Sequence, residues 1–268
     1  MKIYFKIFAA YTILLIFNSC ENLNDPGERE YQNSVFFNLR AGDVNQEIYV
    51  YNSYPIEHPV ETAMFFGYNQ FLVGEANITI KKNNFLFSEF KLVTTDPPYN
   101  KKFYTNSEEL FVYPDSVYSV TVEANGQTVS GSVKTIGNFE ILGIEDLAFT
   151  DTNYNRISVS WEKCRGAAFY QLEARSFFKN ESRFNPEIEN IYVPEFYTFF
   201  PEDADDNGKF LKKLSIRNKA DSIHIFVGAF DENTYKFFIE GIDKVNIDNS
   251  YGYIGSSTIK TIKKYFRN

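Results

Sequence analysis

The chain has 268 residues, with 27 Lys and Arg set against 35 Asp and Glu, a formal charge of −8. That acidity argues against a nucleic-acid partner, whose phosphates need basic patches, and against adsorption to anionic lipid without a further anchor. The 28 Phe and 19 Tyr favour strands, and the length permits one or two domains whose packing can hold them without cross-links.

The first element is a leader. Lys2 and Lys6 give a positive start, and Ile7–Phe17 is an uncharged apolar run, about half the ~20 residues a membrane-spanning helix needs. Asn18-Ser19-Cys20 follows. A small residue before a cysteine at the end of an apolar run resembles the lipobox of bacterial lipoproteins. The resemblance implies removal of residues 1–19 as a signal peptide and acylation of Cys20, palmitate being the usual chain. Cleavage removes two lysines and no acid, which moves the charge from −8 to −10. Two or more acyl chains make a stable membrane tether where one does not. Residues 20–32 are polar, acidic and broken by Pro26 and Gly27, which predicts a flexible leash. Glu21 and Asp25 resemble the surface-export signal of Bacteroidota lipoproteins, so the expected location is the outer membrane, facing the exterior.

Residues 33–137 predict an antiparallel β-sandwich. Strand-like runs occur at 34–39, 47–52, 76–81 and 85–94, with Pro97-Pro98 and Pro114-Asp115 as turns. The clearest signal is Val117–Lys134. Tyr118, Val120 and Val122 alternate with polar residues, Asn125-Gly126 follows, and Val129, Gly131 and Val133 alternate again. Asn-Gly between two alternating runs is a hairpin signature, because both turn positions need φ > 0.

Residues 138–268 predict a second sandwich. Ile157, Val159 and Trp161 alternate, Gly166 marks a turn, and Phe169–Ala174 reads as the next strand. A strand with Trp, a short Gly turn and a strand with Tyr (Tyr170) resemble the fibronectin type III domain, which has about seven strands. The segment 177–208 reads as a loop with an edge strand. Runs 209–216 and 222–230 are further strands, and 253–261 a last one. A short helix is expected near 232–241, with Asp231 as N-cap and Gly241 as its stop. The fold class expected is therefore all-β, two antiparallel sandwiches in tandem.

In order along the chain, several pieces together resemble a family of uncharacterised Bacteroidota envelope lipoproteins. They are the leader with Cys20, Gly74-Glu75-Ala76-Asn77-Ile78-Thr79-Ile80, Tyr118–Val133 and Val159-Ser160-Trp161. Ala229-Phe230-Asp231-Glu232-Asn233-Thr234-Tyr235 and Tyr253-Ile254-Gly255-Ser256-Ser257 complete the set. The resemblance implies a transthyretin-like or carboxypeptidase-regulatory first domain. It also implies a non-catalytic accessory or ligand-capture role beside a TonB-dependent outer-membrane receptor.

Motifs for other chemistry are sparse. The two histidines, His58 and His224, lack neighbouring ligands, and HExxH, CxxC, Gly-x-Ser-x-Gly and phosphate-binding Gly loops do not occur. Carboxylates are plentiful, but nothing selects a catalytic pair, so no enzyme and no cofactor are expected. Cys164 reads as an inert thiol. Asp203-Ala204-Asp205-Asp206-Asn207-Gly208 matches the first half of a calcium loop, with Asp203, Asp205 and Asn207 as candidate ligands. The twelfth position is Leu214 instead of a bidentate glutamate, and the flanks read as strands, so a solvated acidic turn is the competing reading. The aromatic runs Phe196–Phe200 and Phe65–Tyr68 suggest, as an alternative function, a surface glycan-binding lipoprotein.

Overall fold

A computed structural model describes residues 32–53, 73–83, 85–94, 102–106, 108–147, 154–179, 190–217 and 220–266. The leader, Cys20, the leash, His58 and the 65–68 aromatic run lie outside the described residues. The expected all-β class holds. Fifteen strands and one seven-residue α-helix are described.

The first core lies among β1 (Gln32–Arg40), β2 (Glu47–Ser53), β3 (Ala76–Lys82), β4 (Phe85–Thr94), β5 (Lys102–Asn106), β6 (Val117–Ala124) and β7 (Gln127–Lys134). Alternation along β6 buries Tyr118, Val120 and Val122. These pack with Ile78 and Ile80 of β3, Val35, Phe37 and Leu39 of β1, and Ile48 and Val50 of β2. β4 turns the corner of this sandwich. Its residues up to Glu89 pair with β3 and those from Phe90 onward pair with β5. The β6–β7 turn has φ of 54° at Asn125 and 74° at Gly126, the left-handed pair that the Asn-Gly dipeptide predicts.

The second core lies between two sheets. One has the order β12 (Lys209–Arg217), β9 (Tyr154–Glu162), β8 (Ile141–Leu147). Facing it are β11 (Asn190–Phe199), β10 (Phe169–Lys179), β13 (Ser222–Phe230) and β15 (Tyr251–Tyr265). Three strands thus face four. Trp161 is fully buried there. It stacks on Phe210 at 5.1 Å and 8° and meets Phe199 edge-on at 5.1 Å. Along the open flank, Lys260 and Lys264 of β15 reach Glu140 and Asp146 at 3.5 and 2.8 Å.

The two units share their last strand. Residues 251–257 of β15 pair in parallel with β1, and residues 257–265 pair antiparallel with β13. The expectation of wholly antiparallel pairing therefore has an exception at β1–β15 and another at β15 with the two-residue β14 (Lys244–Val245). Ile247 and Ile254, from the segment assigned to the second sandwich by sequence, pack in the first core. One continuous sheet of twelve strands results.

Residues 252–258 are all buried, because this half of β15 is covered on both faces. Ile254 faces the first core, while Tyr253 faces a separate, mostly aromatic cluster of Phe36, Tyr51, Phe237 and Val245. α1 (Glu232–Phe238) lies over that second face. Its N-cap Asp231 accepts from the Thr234 N–H at 3.0 Å and from the Thr234 hydroxyl at 2.7 Å. This is the cap the sequence predicts.

The connection between the sandwiches is buried too. Thr135, Ile136 and Gly137 are covered. The Gly137 carbonyl accepts from the Thr258 hydroxyl at 2.9 Å, and the Gly137 N–H donates to the Arg165 carbonyl at 2.8 Å. Arg165 also forms an ion pair with Asp115 across the junction. β1 begins beside the Asn125-Gly126 turn, where the Asn33 side chain donates to the Ala124 carbonyl at 2.8 Å. β15 runs parallel to β1 and continues beyond it, so the second sandwich sits at the end opposite the chain's entry. At about 3.3 Å per residue this strand alone spans roughly 50 Å.

Candidate binding face

The sheet β11-β10-β13-β15 covers the second core with one face. On the other, α1 covers one end, where Phe169 stacks on Phe230 beside Tyr235, and the outward residues beyond it are partly exposed. On β10, Leu172 and Ala174 point inward, so Glu173, Arg175 and Phe177 point outward. On β13, Ile223, Ile225 and Val227 are buried, so His224 and Phe226 point outward. The registers align these residues in rows. Glu173 pairs with Phe196 on one side and Phe226 on the other, and Arg175 pairs with Pro194 and His224. Thr261 and Lys263 of β15 extend the two rows.

The side chains make an organised surface. The Arg175 guanidinium donates to both Glu173 carboxylate oxygens, at 2.5 and 2.8 Å, and lies 4.5 Å from the centre of the Phe226 ring. A bidentate fork and a cation–π contact together hold the group in one plane. The His224 ring is 4.2 Å from the Phe177 ring. Partial burial, then Lys263, then Arg175 hold the imidazole pKa below its ordinary value, which leaves His224 neutral, with one donor and one acceptor nitrogen. Phe196 is 69% exposed and Tyr265 73% exposed.

Only part of this face is the aromatic run read from sequence. Of Phe196–Phe200, Phe196 alone is a largely exposed ring on the open face. Tyr197 donates to Glu195 at 2.6 Å and carries Lys212 over its ring at 3.6 Å. Phe199 packs on Trp161, and Phe200 meets Tyr235. Glu173, Arg175, Phe177 and Phe226 were not singled out from sequence. The signal that marks them is the pair of alternating runs Glu173-x-Arg175-x-Phe177 and His224-x-Phe226.

The acidic turn is built for the backbone. The Asp203 carboxylate accepts from the Phe200 N–H at 2.7 Å, and that of Asp205 accepts from the N–H groups of Asn207 and Lys209 at 2.9 and 2.8 Å. Gly208 takes φ +73°. The carboxylates thus shape the passage from β11 to β12. Among the described residues no three His, Cys, Asp or Glu gather as a metal-holding group.

The Cys164 thiol is buried and donates to the Gly137 carbonyl at 3.2 Å. Burial, then Asp115, push its pKa up to about 12 against the opposing pull of Arg165, so it is not a nucleophile at neutral pH. A cleft of about 530 Å³ lies at the junction of the sandwiches, lined by Asp115, Lys134, Ile136, Arg165 and Asp231. Another, of about 740 Å³, lies at the entry end, by Glu75, Lys91, Glu123 and Gln127. Among the described residues no helix is long and apolar enough to cross a membrane.

No family model and no curated protein matches this chain. Among solved structures, bovine butyrophilin is similar over 88% of this chain and 99% of its own, at 8% identity and a TM-score of 0.21. A likeness that slight carries no functional argument.

Proposed function

We propose that this is a lipid-anchored, non-catalytic protein of the bacterial outer membrane that captures ligand as the accessory partner of a TonB-dependent receptor. The leader ending in Cys20, the acidic leash and the family-like order of pieces motivate the anchor and the partner. The observation that carries the capture role is the course of β15. That strand and the buried 135–137 connection fix the second sandwich at the end opposite Gln32, where a leash from Cys20 would enter. A leash of residues 20–32 reaches at most about 45 Å, and the open face of the second sandwich then stands beyond the first, farther from the tether.

The test is cross-linking in intact native cells with mass spectrometry of the adducts, beside analysis of the mature N-terminal peptide. The expected results are an acylated Cys20 and a reproducible receptor barrel linked to either sandwich. An unmodified leader would overturn the anchor. Absence of a barrel from the adducts would overturn the accessory role.

A further inference from the structure

We propose that the open face of the β11-β10-β13-β15 sheet is a carbohydrate platform that binds a hydroxyl-rich oligosaccharide along the row Phe196–Glu173–Phe226. This rests on the ligand-capture reading above and names its ligand class and its site. A sugar ring presents two kinds of surface, an apolar face of C–H bonds and a rim of hydroxyls that each donate and accept. Phe196 and Phe226 pair with the same residue from opposite sides, so their Cα atoms stand about two strand spacings apart, roughly 10 Å. The exposed Phe196 ring offers a stacking position at one end of the row, while the partly exposed Phe226 ring at the other carries the Arg175 guanidinium. Between them lies the Arg175–Glu173 fork, which sets guanidinium donors and carboxylate acceptors side by side. Neutral His224, in the next row beside Arg175, adds one donor and one acceptor.

One physical feature favours a sugar over a protein partner. The centre of a protein interface is typically depleted of carboxylates, yet Glu173 occupies the middle of this face. An apolar protein surface would strip water from the Glu173–Arg175 pair without replacing its hydrogen bonds, while hydroxyls replace them. Arg175 is already held by Glu173 and Phe226, so little side-chain freedom remains to be lost on binding.

The test uses the mature chain on a glycan array and in native gels containing xylan, mixed-linkage β-glucan, α-mannan, starch or chondroitin sulfate. Phe196→Ala and Arg175→Gln are run in parallel, with thermal melts as folding controls. The largely exposed Phe196 can be truncated without opening the core. The expected result is array binding and retardation by at least one polysaccharide, weakened about tenfold by Phe196→Ala with an unchanged melting temperature. Absence of binding to every glycan, or binding that neither substitution weakens, overturns the platform. Loss of the platform with the receptor cross-link retained leaves the accessory role standing, and the converse leaves a sugar binder with no receptor.

Discussion

Arg40 and Phe230 meet the same residue from opposite sandwiches. Both are register partners of Ser257, Arg40 on the parallel β1 side and Phe230 on the antiparallel β13 side. β15 changes allegiance at this position without a break, so neither core can lose the strand without exposing the other.

One consequence concerns cooperativity. The sole tryptophan, Trp161, reports on the second core alone, whereas far-UV circular dichroism reports on both. Denaturant curves followed by the two signals are expected to superimpose, with one midpoint, as in two-state unfolding. A second transition in circular dichroism, invisible to Trp161, would show that the sandwiches unfold separately.

The β1–β15 seam depends on Gly252. Its φ is +109°, and a Cβ there would lie 2.1 Å from the Val35 carbonyl oxygen. Gly252→Ala is expected to cost about 3 kcal/mol or more, from backbone strain and displacement of β1. Gly74→Ala, which meets nothing within 4 Å, should stay within about 0.5 kcal/mol. Urea melts of the two variants measure the difference.

Asp231 separates a cap from a charge. Asp231→Ala is expected to destabilise by about 1–2 kcal/mol through loss of the helix cap, while Asn keeps the acceptor oxygen. Burial, the largest influence on the carboxyl, raises its pKa above the ordinary 3.8 despite the hydrogen bonds it accepts. A carboxyl with a raised folded-state pKa favours the folded state in acid, and that contribution fades as pH climbs from 3.8 through the raised value. The stability of Asp231→Asn relative to the natural chain should therefore improve from pH 3 to pH 7, as read from denaturant midpoints.

Cys164 predicts alkaline behaviour. Its folded-state pKa of about 12 exceeds the ordinary 9.0, so its contribution is complete below pH 9 and is lost as pH rises from 9 towards 12. In a Cys20→Ser form, no thiol should react with a disulfide reagent at pH 8 until the chain is unfolded. Cys164→Ser should show a shallower fall in stability above pH 9. Some fall will remain, because burial also raises the hydroxyl of Tyr170 to about 12. Rapid labelling of the native protein at pH 8 would contradict the buried placement.

How much of this was legible in the sequence depends on how each strand is buried. The Val117–Lys134 hairpin and Ser222–Phe230 could be read directly, the first from alternation around Asn-Gly and the second from an apolar run bounded by turns. β8 was not singled out, because Gly143 and a register shift beside it interrupt its alternation, and β5 is only five residues long. The first half of β15 is covered on both faces and filled with Gly and Ser, so it carries no period of two, and its parallel pairing with β1 is non-local. At the candidate face, alternation places Arg175 and Phe226 outward on their own strands. It cannot say that β10 and β13 are neighbours, and so it cannot bring the two side chains together.

The course of β15 also has a mechanical meaning. A chain held by its N-terminus and loaded through its second sandwich would pull β1 from its beginning and β15 from its far end. Parallel strands drawn from opposite ends slide against each other, so the load spreads over all the hydrogen bonds of the seam at once and does not open them one by one. Such a load would therefore be borne by the whole 34–40 and 251–257 pairing, as a shear clamp.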